Sequence, residues 1–228
     1  MKSTVWDYVW TGLCISVILA SAVGLVSLAL PLTLWLAGLY HWLLELVLLM
    51  LAYGLLSAAV IRLLIRWRPM KAGTYGMDSP DFAYWKVLTV VYRLGQGALK
   101  PLVPFFLSPV LDSLFGARIG RDVAFGGVID DPYAVTVGNG VVLGHHSLVT
   151  ANYLWDGQLT CGTVVIDDGV TVGANSIVFP GTHLGRGAKV MNGAVVMPGT
   201  RIPPGETWRG NPARKWSQMA TGRGEAAD

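Results

Sequence analysis

The sequence predicts a mainly β protein, a parallel β-helix that follows an α-helical transmembrane hairpin and a short run of interfacial helices. Three features lead to this fold class: a six-residue apolar repeat near the C-terminus, a concentration of glycine in the same region, and a long N-terminal run with almost no charge. A period of six matches neither an α-helix nor simple alternation along a strand. The repeat is unbroken over Ile166, Val172, Val178, Leu184, Val190, Val196 and Ile202.

Each six-residue unit of such a repeat supplies one short strand and one corner. Of the 28 glycines, eighteen lie between Gly116 and Gly210, which is typical of corners that need unusual backbone angles. Because one unit cannot bury its own apolar face, stacked units must stabilise one another. A small or short residue also stands four positions after each ladder residue except the last, where Glu206 stands: Val170, Ser176, Thr182, Ala188, Ala194 and Thr200.

The β-helix is predicted over residues 116–216, with one interruption. Val137, Leu143 and Val149 lie six residues apart, and the ladder restarts at Ile166. The stretch between Val149 and Ile166 is less regular, as is 125–133. Excursions from a rigid scaffold are where functional sites are commonly built.

The N-terminal run predicts a two-helix transmembrane anchor over residues 1–72. Between Tyr8 and Ile61 the only formally charged side chain is Glu45. As one helix this run would be about 80 Å long, whereas a bilayer core is about 30 Å thick. We therefore expect two spans, about 9–34 and 43–61, joined near Gly38. Both ends should face the cytoplasm by the positive-inside rule, because the basic residues follow the second span: Arg62, Arg66, Arg68 and Lys71.

Residues 73–115 are predicted to hold a linker and amphipathic helices. Ser79 and Pro80 suit the cap and first position of a helix over 81–94. The following stretch, 99–115, is broken by three prolines, so it is not expected to span a membrane. These helices either lie along the membrane surface or cap the open end of the coil, and the two roles are compatible.

Composition argues against several other classes of protein. The formal charge is only +3, and the basic residues form no stripe with interleaved aromatic residues, so nucleic-acid binding is not expected. Cys14 and Cys161 lie in different settings and predict neither a disulfide nor a zinc site. The small, polar tail 217–228 is predicted to be disordered.

Residues 116–216 resemble the bacterial hexapeptide-repeat acyltransferases, whose fold is a left-handed parallel β-helix. The stretches 116–120, 131–138 and 208–212 look like the membrane-linked branch, found at the C-terminus of poly-amino-acid and other nonribosomal peptide synthetases and as stand-alone proteins. The resemblance implies a homotrimer at the bacterial inner membrane with its β-helix in the cytoplasm. The residues that carry it are Ile119-Gly120, Val137-Gly138, Leu143-Gly144, Val172-Gly173, Leu184-Gly185 and Gly210-Asn211-Pro212-Ala213.

The resemblance also implies a histidine base, which here would stand at Asn152. Asparagine accepts no proton at neutral pH, so the base must be sought elsewhere. His145 and His146 at the preceding corner are the predicted base, since imidazole titrates near neutral pH.

Several other polar residues are candidates near this base. Asn152 and Tyr153 could hold a substrate hydroxyl, and Asp156 and Asp131 could orient the base or the acceptor. Each of them, like His183 and the two histidines themselves, could instead be a polar corner residue with no catalytic task.

For the co-substrate, the resemblance implies acetyl-CoA or another acyl-CoA lying between neighbouring coils, with no permanently bound cofactor. Arginine and lysine suit its phosphates, although the basic residues could instead anchor the C-terminal segment or meet anionic lipid. No metal is expected: the related gamma carbonic anhydrases use three histidines, and the third, a few residues after His183, is missing. The matching positions are Gly173, Ala174, Asn192, Gly193, Arg209, Arg214 and Lys215.

The sequence therefore predicts a membrane-anchored acyltransferase. It would move an acyl group, in the first instance acetyl, from CoA to a hydroxyl or amine of a lipid-linked, glycan or peptide acceptor. Two alternatives remain: a trimeric scaffold or accessory subunit that has lost its chemistry, and a peptide-synthetase type of transferase with an aminoacyl thioester donor.

Overall fold

The structure, a computed structural model, describes residues 5–216. The predicted disordered tail, 217–228, lies outside the described residues. An N-terminal helical part leads into a β-helix. The four α-helices are α1 (Val5–Ala37), α2 (His41–Trp67), α3 (Pro80–Leu99) and α4 (Ser108–Leu114), with 3₁₀ turns at Gly38–Tyr40, Lys100–Leu102, Phe105–Leu107 and Pro132–Ala134.

The first two helices form an antiparallel hairpin that turns at Gly38, as the sequence predicts. Gly38 has a φ of 51°, a value that glycine adopts without steric cost. Beside the turn, the Thr33 hydroxyl donates to Glu45 Oε1 at 2.9 Å. Far from the turn, Ile18 of α1 packs in one cluster with Ile61 of α2, so the helices run back along each other.

This hairpin has a largely exposed apolar surface. By length and composition, the 60-residue segment Tyr8–Trp67 is apolar enough to cross a membrane. Only 11 % of its most apolar window is buried inside the protein. An exposed apolar surface of this extent needs a partner outside the chain.

Helix α3 begins where the sequence predicts and is longer than predicted. The Ser79 hydroxyl accepts from the backbone N–H of Phe82 at 3.2 Å, and Pro80 occupies the first turn. The helix continues past the predicted end at residue 94 to Leu99. Its apolar face packs on α2, which explains the extra turn.

Helices α3 and α4 join the hairpin to the first coil. Arg62 donates to the backbone carbonyls of Leu114 and Ser113 at 2.8 and 2.6 Å, which are among the unpaired carbonyls that end α4. Tyr92 of α3 donates to Asp130 of the first coil. These contacts place both helices against the open end of the coil.

Eighteen short strands follow or accompany these helices, and all but three antiparallel ones lie in parallel sheets. They are β1 (Gly73–Gly76), β2 (Arg118–Ile119), β3 (Ala124–Phe125), β4 (Val128–Asp130), β5 (Val135–Val137), β6 (Val142–Leu143), β7 (Leu148–Thr150), β8 (Asn152–Trp155), β9 (Gln158–Cys161), β10 (Val164–Ile166), β11 (Thr171–Val172), β12 (Ile177–Val178), β13 (His183–Leu184), β14 (Lys189–Val190), β15 (Val195–Val196), β16 (Arg201–Ile202), β17 (Thr207–Arg209) and, antiparallel to β17, β18 (Arg214–Lys215).

Three parallel sheets form the faces of the β-helix. The first face has the order β16-β13-β10-β5-β2, the second β17-β14-β11-β6-β3 and the third β15-β12-β7-β4. Successive strands along the chain lie on successive faces, so the chain winds around a common axis. The predicted parallel β-helix is confirmed.

The ladder residues fill the centre of the coil. The stretch 125–133, predicted to be less regular, is also part of the coil: Phe125 stacks on Leu143 and Ile129 on Val149. Its two inward residues are four rather than six apart, which hid them from a six-residue pattern. No more than 2 % of the surface of any ladder residue is exposed: Ile166, Val172, Val178, Leu184, Val190, Val196 and Ile202.

The interruption after Val149 is an inserted β-hairpin. Val149 pairs with Val178, 29 residues later, whereas Val178 pairs with Val196 at the regular spacing of 18, so 11 residues are extra. They form the antiparallel strands β8 and β9. Asp156 and Gly157 turn the chain between them with φ of 47° and 69°, the signature of a two-residue hairpin turn.

Strand β1 pairs with this hairpin. The segment predicted as a linker places Gly73 opposite Cys161 and Gly76 opposite Gln158. Leu159 is fully buried beneath the three-stranded sheet, where it packs with Trp85 of α3. The helical part and the excursion of the coil are therefore joined by backbone hydrogen bonds.

Candidate functional site

Six of the predicted site residues lie along one edge of the β-helix, between the second and third faces. Hydrogen bonds run up this edge from coil to coil: Asn175 N donates to His145 O at 3.0 Å, and Gly193 N donates to Ala174 O at 2.8 Å. Arg209 lies in the next coil, directly before Gly210. We call this column the histidine edge: His145, His146, Gly173, Ala174, Asn192 and Gly193.

The two histidines stack on each other at this edge. Their ring centroids are 3.9 Å apart, and both side chains are exposed. His146 has a φ of 56° and stands in the same corner position as Asn175 in the next coil. Within residues 5–216, neither imidazole has a carboxylate partner, so both rings can present a free nitrogen to solvent.

The backbone beneath the pair is packed too closely for side chains. A Cβ on Gly144 would lie 2.5 Å from the backbone nitrogen of Ala174, and one on Gly173 would lie 2.5 Å from that of Asn192. Asn192 Oδ1 also accepts from Ala174 N at 3.0 Å. Gly173 and Asn192 thus hold the corner together, while the exposed amide nitrogen of Asn192 stays open to a ligand.

The predicted phosphate-binding residues near the C-terminus differ in how they are used. Lys215 Nζ lies 2.5 Å from Glu206 Oε1, and this hydrogen bond and that of Trp208 lower the pKa of Glu206. The Arg214 guanidinium donates to the carbonyl of its neighbour Ala213. Arg209 stacks over Trp216 at 5.6 Å. Lys215 and Arg214 therefore serve the C-terminal segment, and Arg209 keeps its charge exposed.

Asn152 lies in a buried polar network at a different edge. Its amide donates to Asp131 Oδ2 at 2.6 Å, and the Trp85 indole donates to the same oxygen at 3.0 Å. Asn152 is 9 % exposed and Asp131 2 %. A buried carboxylate requires such donors, and an amide supplies one at any pH. The side chain expected to bind a substrate thus lies in a structural contact between the hairpin, the coil and α3.

The carboxyl group of Asp131 has an altered pKa. Burial raises the pKa of Asp131 to about 6, against the opposing effect of the hydrogen bond from Trp85. The folded state therefore holds a proton that the unfolded chain has already lost between about pH 4 and pH 6. The contribution of this group to the free energy of unfolding is fully present below about pH 4 and is lost as the pH rises through about 6.

We expect Asp131→Asn to weaken the pH dependence of stability. The wild-type free energy of unfolding should fall between pH 4.5 and pH 7, by about 1–3 kcal/mol from this group, and the variant should lose that part of the decrease. Urea denaturation of the full chain in detergent measures both values. Asp156→Asn, at the exposed hairpin turn, is the control and should behave as wild type. Equal pH slopes for wild type and Asp131→Asn would contradict the expectation.

Cys161 lies beside this network and is unsuited to nucleophilic chemistry. It is 8 % exposed, and burial, followed by the charge of Asp131, raises the pKa of its thiol to about 12. The reactive thiolate is therefore scarce at neutral pH.

Asp156 and Tyr153 lie on the inserted hairpin rather than with the histidine pair. Asp156 occupies the exposed turn, where its positive φ suits Asp. The Tyr153 ring contacts the edge of Phe179 at 5.7 Å. The structure thus groups the two residues with Asn152 along the chain, and not with His145 or His146.

A second histidine arrangement, missed in part by the sequence, lies on the first face. His183 Nε2 is 3.0 Å from Asp167 Oδ2, with side chains 45 % and 40 % exposed. A carboxylate in this position orients an imidazole and leaves its other nitrogen free. The spacing of 16 residues was the available signal, because an 18-residue coil places His183 beside Val165.

The repeat domain matches a known family of repeats. Residues 163–198 match the family model described as hexapeptide repeat of succinyl-transferase. Together with the 18-residue coil, this match identifies the domain as a left-handed parallel β-helix of the hexapeptide-repeat type, which confirms the resemblance seen in the sequence.

Two curated relatives and one solved structure show what this chain is similar to. "Putative acetyltransferase YvoF" of Bacillus subtilis (strain 168) is 31 % identical over 100 residues, which covers 44 % of this chain and 54 % of the relative. Mitochondrial gamma carbonic anhydrase 1 of Arabidopsis thaliana is 32 % identical over 130 residues, covering 48 % and 46 %. The chain thus spans about half the length of the curated relatives it matches.

The solved structure is that of a maltose O-acetyltransferase from Clostridium difficile 630. It has a TM-score of 0.45 and 19 % identity, over 64 % of this chain and 91 % of that one. Within residues 5–216, no three His, Cys, Asp or Glu side chains are close enough to hold a metal ion.

Proposed function

We propose that the protein is a membrane-anchored acyltransferase that moves an acyl group, in the first instance acetyl, from CoA to a hydroxyl or amine of its acceptor. The observation that carries this proposal is the histidine edge, where two exposed imidazoles stand in the same column as an open, glycine-rich backbone. The acetyltransferase name of the Bacillus subtilis relative points in the same direction.

The proposed chemistry needs one base and one leaving group. A neutral imidazole of His145 or His146 takes the proton of the acceptor hydroxyl or amine as that atom attacks the thioester carbonyl. The carbon–sulfur bond then breaks, and the CoA thiolate leaves and takes up the proton. Backbone N–H groups of the glycine-lined corners, with Arg209 above them, are suited to hold the co-substrate and its phosphates.

A second base is favoured by a specific contact. The Asp167 carboxylate fixes the ring of His183 at 3.0 Å, an orientation that the His145–His146 pair does not have. The two positions lie on different parts of the coil, so single-site variants can distinguish them.

The cellular setting belongs to the same proposal. The exposed apolar segment Tyr8–Trp67 would hold the protein in the bacterial inner membrane as two spans, with the β-helix in the cytoplasm, where CoA is available. A homotrimer, as the resemblance implies, would then carry six spans. The acceptor would be a lipid-linked, glycan or peptide molecule at the membrane surface.

Binding of CoA separates this proposal from its alternatives. The full chain should stay in the membrane fraction after an alkaline wash, and after extraction in detergent it should bind CoA and acetyl-CoA in a calorimetric titration with a dissociation constant of about 1 μM–1 mM. A scaffold that has lost its chemistry would bind neither compound. A transferase that uses aminoacyl thioesters on a carrier would show no binding of acetyl-CoA. Absence of both binding signals would overturn the proposal.

A further inference from the structure

A cavity of about 670 Å³ lies where α2 meets the first coil. One wall is the last part of α2, which contributes Ile61 and Ile65. The other wall comes from the chain entering the coil, at Phe115, and from the first face, at Val135 and Val165. The cavity therefore begins at the end of the apolar hairpin and continues along the β-helix.

Basic side chains give this cavity a positive charge. Arg62, Arg66 and Arg118 all line it, and none of its fourteen lining residues is acidic. Arg62 is fixed by its hydrogen bonds to the end of α4. Within residues 5–216, Arg66 and Arg118 have no carboxylate partner and are exposed.

The acidic side chains of the nearby α3 junction do not neutralise these arginines. Asp81 pairs with Arg68 at 2.7 Å, and Asp130 pairs with Arg93 at 3.0 Å. Both carboxylates thus have arginine partners of their own outside the cavity. The charge inside the cavity is left for a ligand.

The combination of an apolar wall with unpaired arginines selects the chemistry of that ligand. Guanidinium groups bind phosphate with paired hydrogen bonds, and the isoleucine side chains of α2 suit an alkyl chain. Because the apolar surface of α2 continues directly from this wall, a ligand with a tail can lie along the helix while its head group reaches Arg66 and Arg118. A small soluble anion would leave the apolar wall unused.

We propose that this cavity binds the phosphate-bearing head group of a membrane lipid. The site does not include His145 or His146, and it stands independently of the proposed acyl transfer. It lies one strand away from His183, because Val165, which lines the cavity, is the register partner of that residue. A lipid bound there would be held beside the first face of the coil.

Titration of the full chain in maltoside detergent tests this site. The probe is dioctanoyl phosphatidic acid, compared with dioctanoyl glycerol, which lacks the phosphate, and with inorganic phosphate, which lacks the tail. We expect phosphatidic acid to bind at least about 10-fold more tightly than either comparison compound, since both the charge and the tail contribute. Equal affinity for dioctanoyl glycerol would exclude a phosphate site, and equal affinity for inorganic phosphate would exclude a lipid as the occupant.

Variants connect the binding to the cavity. Arg66→Gln combined with Arg118→Gln should weaken phosphatidic acid binding by about 10-fold or more, and the matched control Arg121→Gln, an exposed arginine outside the cavity, should not. If the double variant is not recovered as folded protein, Arg118→Glu alone replaces it. Unchanged affinity in the cavity variant would overturn the proposal.

A competition experiment keeps this site distinct from the proposed function. CoA should not displace phosphatidic acid, and the arginine double variant should still bind CoA as wild type does. Displacement by CoA would reassign the cavity to the co-substrate and overturn the lipid site. Failure of CoA to bind at all would concern only the acyltransferase proposal.

Discussion

Replacing His145 and His146 together with Ala is expected to lower kcat/KM for acyl transfer by about 10²- to 10⁴-fold, the usual contribution of a general base. Both rings are exposed and stack on each other at 3.9 Å, so either one could take over in a single variant. The double variant removes that redundancy. Release of free CoA thiol from acetyl-CoA, followed with a thiol reagent in the presence of membrane extract as acceptor, measures the rate.

The matched control for this experiment is His183→Ala. It removes the other exposed imidazole on the coil, together with the contact to Asp167. Wild-type activity in the double variant would exclude the His145–His146 pair as the base. If His183→Ala alone abolished transfer, the base would be assigned to the first face. An unchanged thermal unfolding midpoint in each variant shows that the fold is retained.

Gly144→Val should destabilise the β-helix by about 2–4 kcal/mol, at the upper end of what overpacking causes. The added Cβ would lie 2.5 Å from Ala174 N and 2.7 Å from the carbonyl carbon of Gly173. Both are backbone atoms of the next coil, so they cannot move aside as a flexible side chain can. The coils would have to separate, with loss of the hydrogen bond between Gly144 N and Val172 O.

Denaturation of the full chain in detergent, followed by circular dichroism, measures this effect. Gly97→Ala is the control, because nothing lies within 4 Å of the Cβ that it would add in α3. That variant should be as stable as wild type or slightly more stable, since Ala favours a helix over Gly. A Gly144→Val chain with wild-type stability would show that the coils can be spaced further apart than the structure indicates.

The regular part of this fold could be predicted because its spacing is local. Each ladder residue repeats its neighbour six positions on, and the buried side chains follow that rhythm. The pairing of β1 with β9 could not be predicted in this way. It joins residues more than eighty positions apart, and Gly73–Gly76 has too few side chains to form a pattern. The Asp156–Gly157 turn was readable as a hairpin signal, although Asp156 attracted a catalytic interpretation instead.

The candidate site was predicted in part for a similar reason. Corner residues such as His146 and Asn192 recur with the coil, so their alignment on one edge follows from counting. Asn152 was expected at an open site, yet it meets Asp131 and Trp85, and Trp85 belongs to a helix far away in sequence. A contact between separate elements leaves no periodic trace.

The three-stranded sheet of β1, β8 and β9 also determines how the coil moves relative to the hairpin. A free segment between α2 and α3 would act as a flexible leash. Here four successive residue pairs, from Gly73–Cys161 to Gly76–Gln158, clamp that segment to the coil, and the Thr74 and Thr160 hydroxyls meet across it at 3.2 Å. The coil is thus mounted stiffly on its helices, so it cannot swing outwards to search for partners. Molecules that reach it must travel to a fixed height above the hairpin.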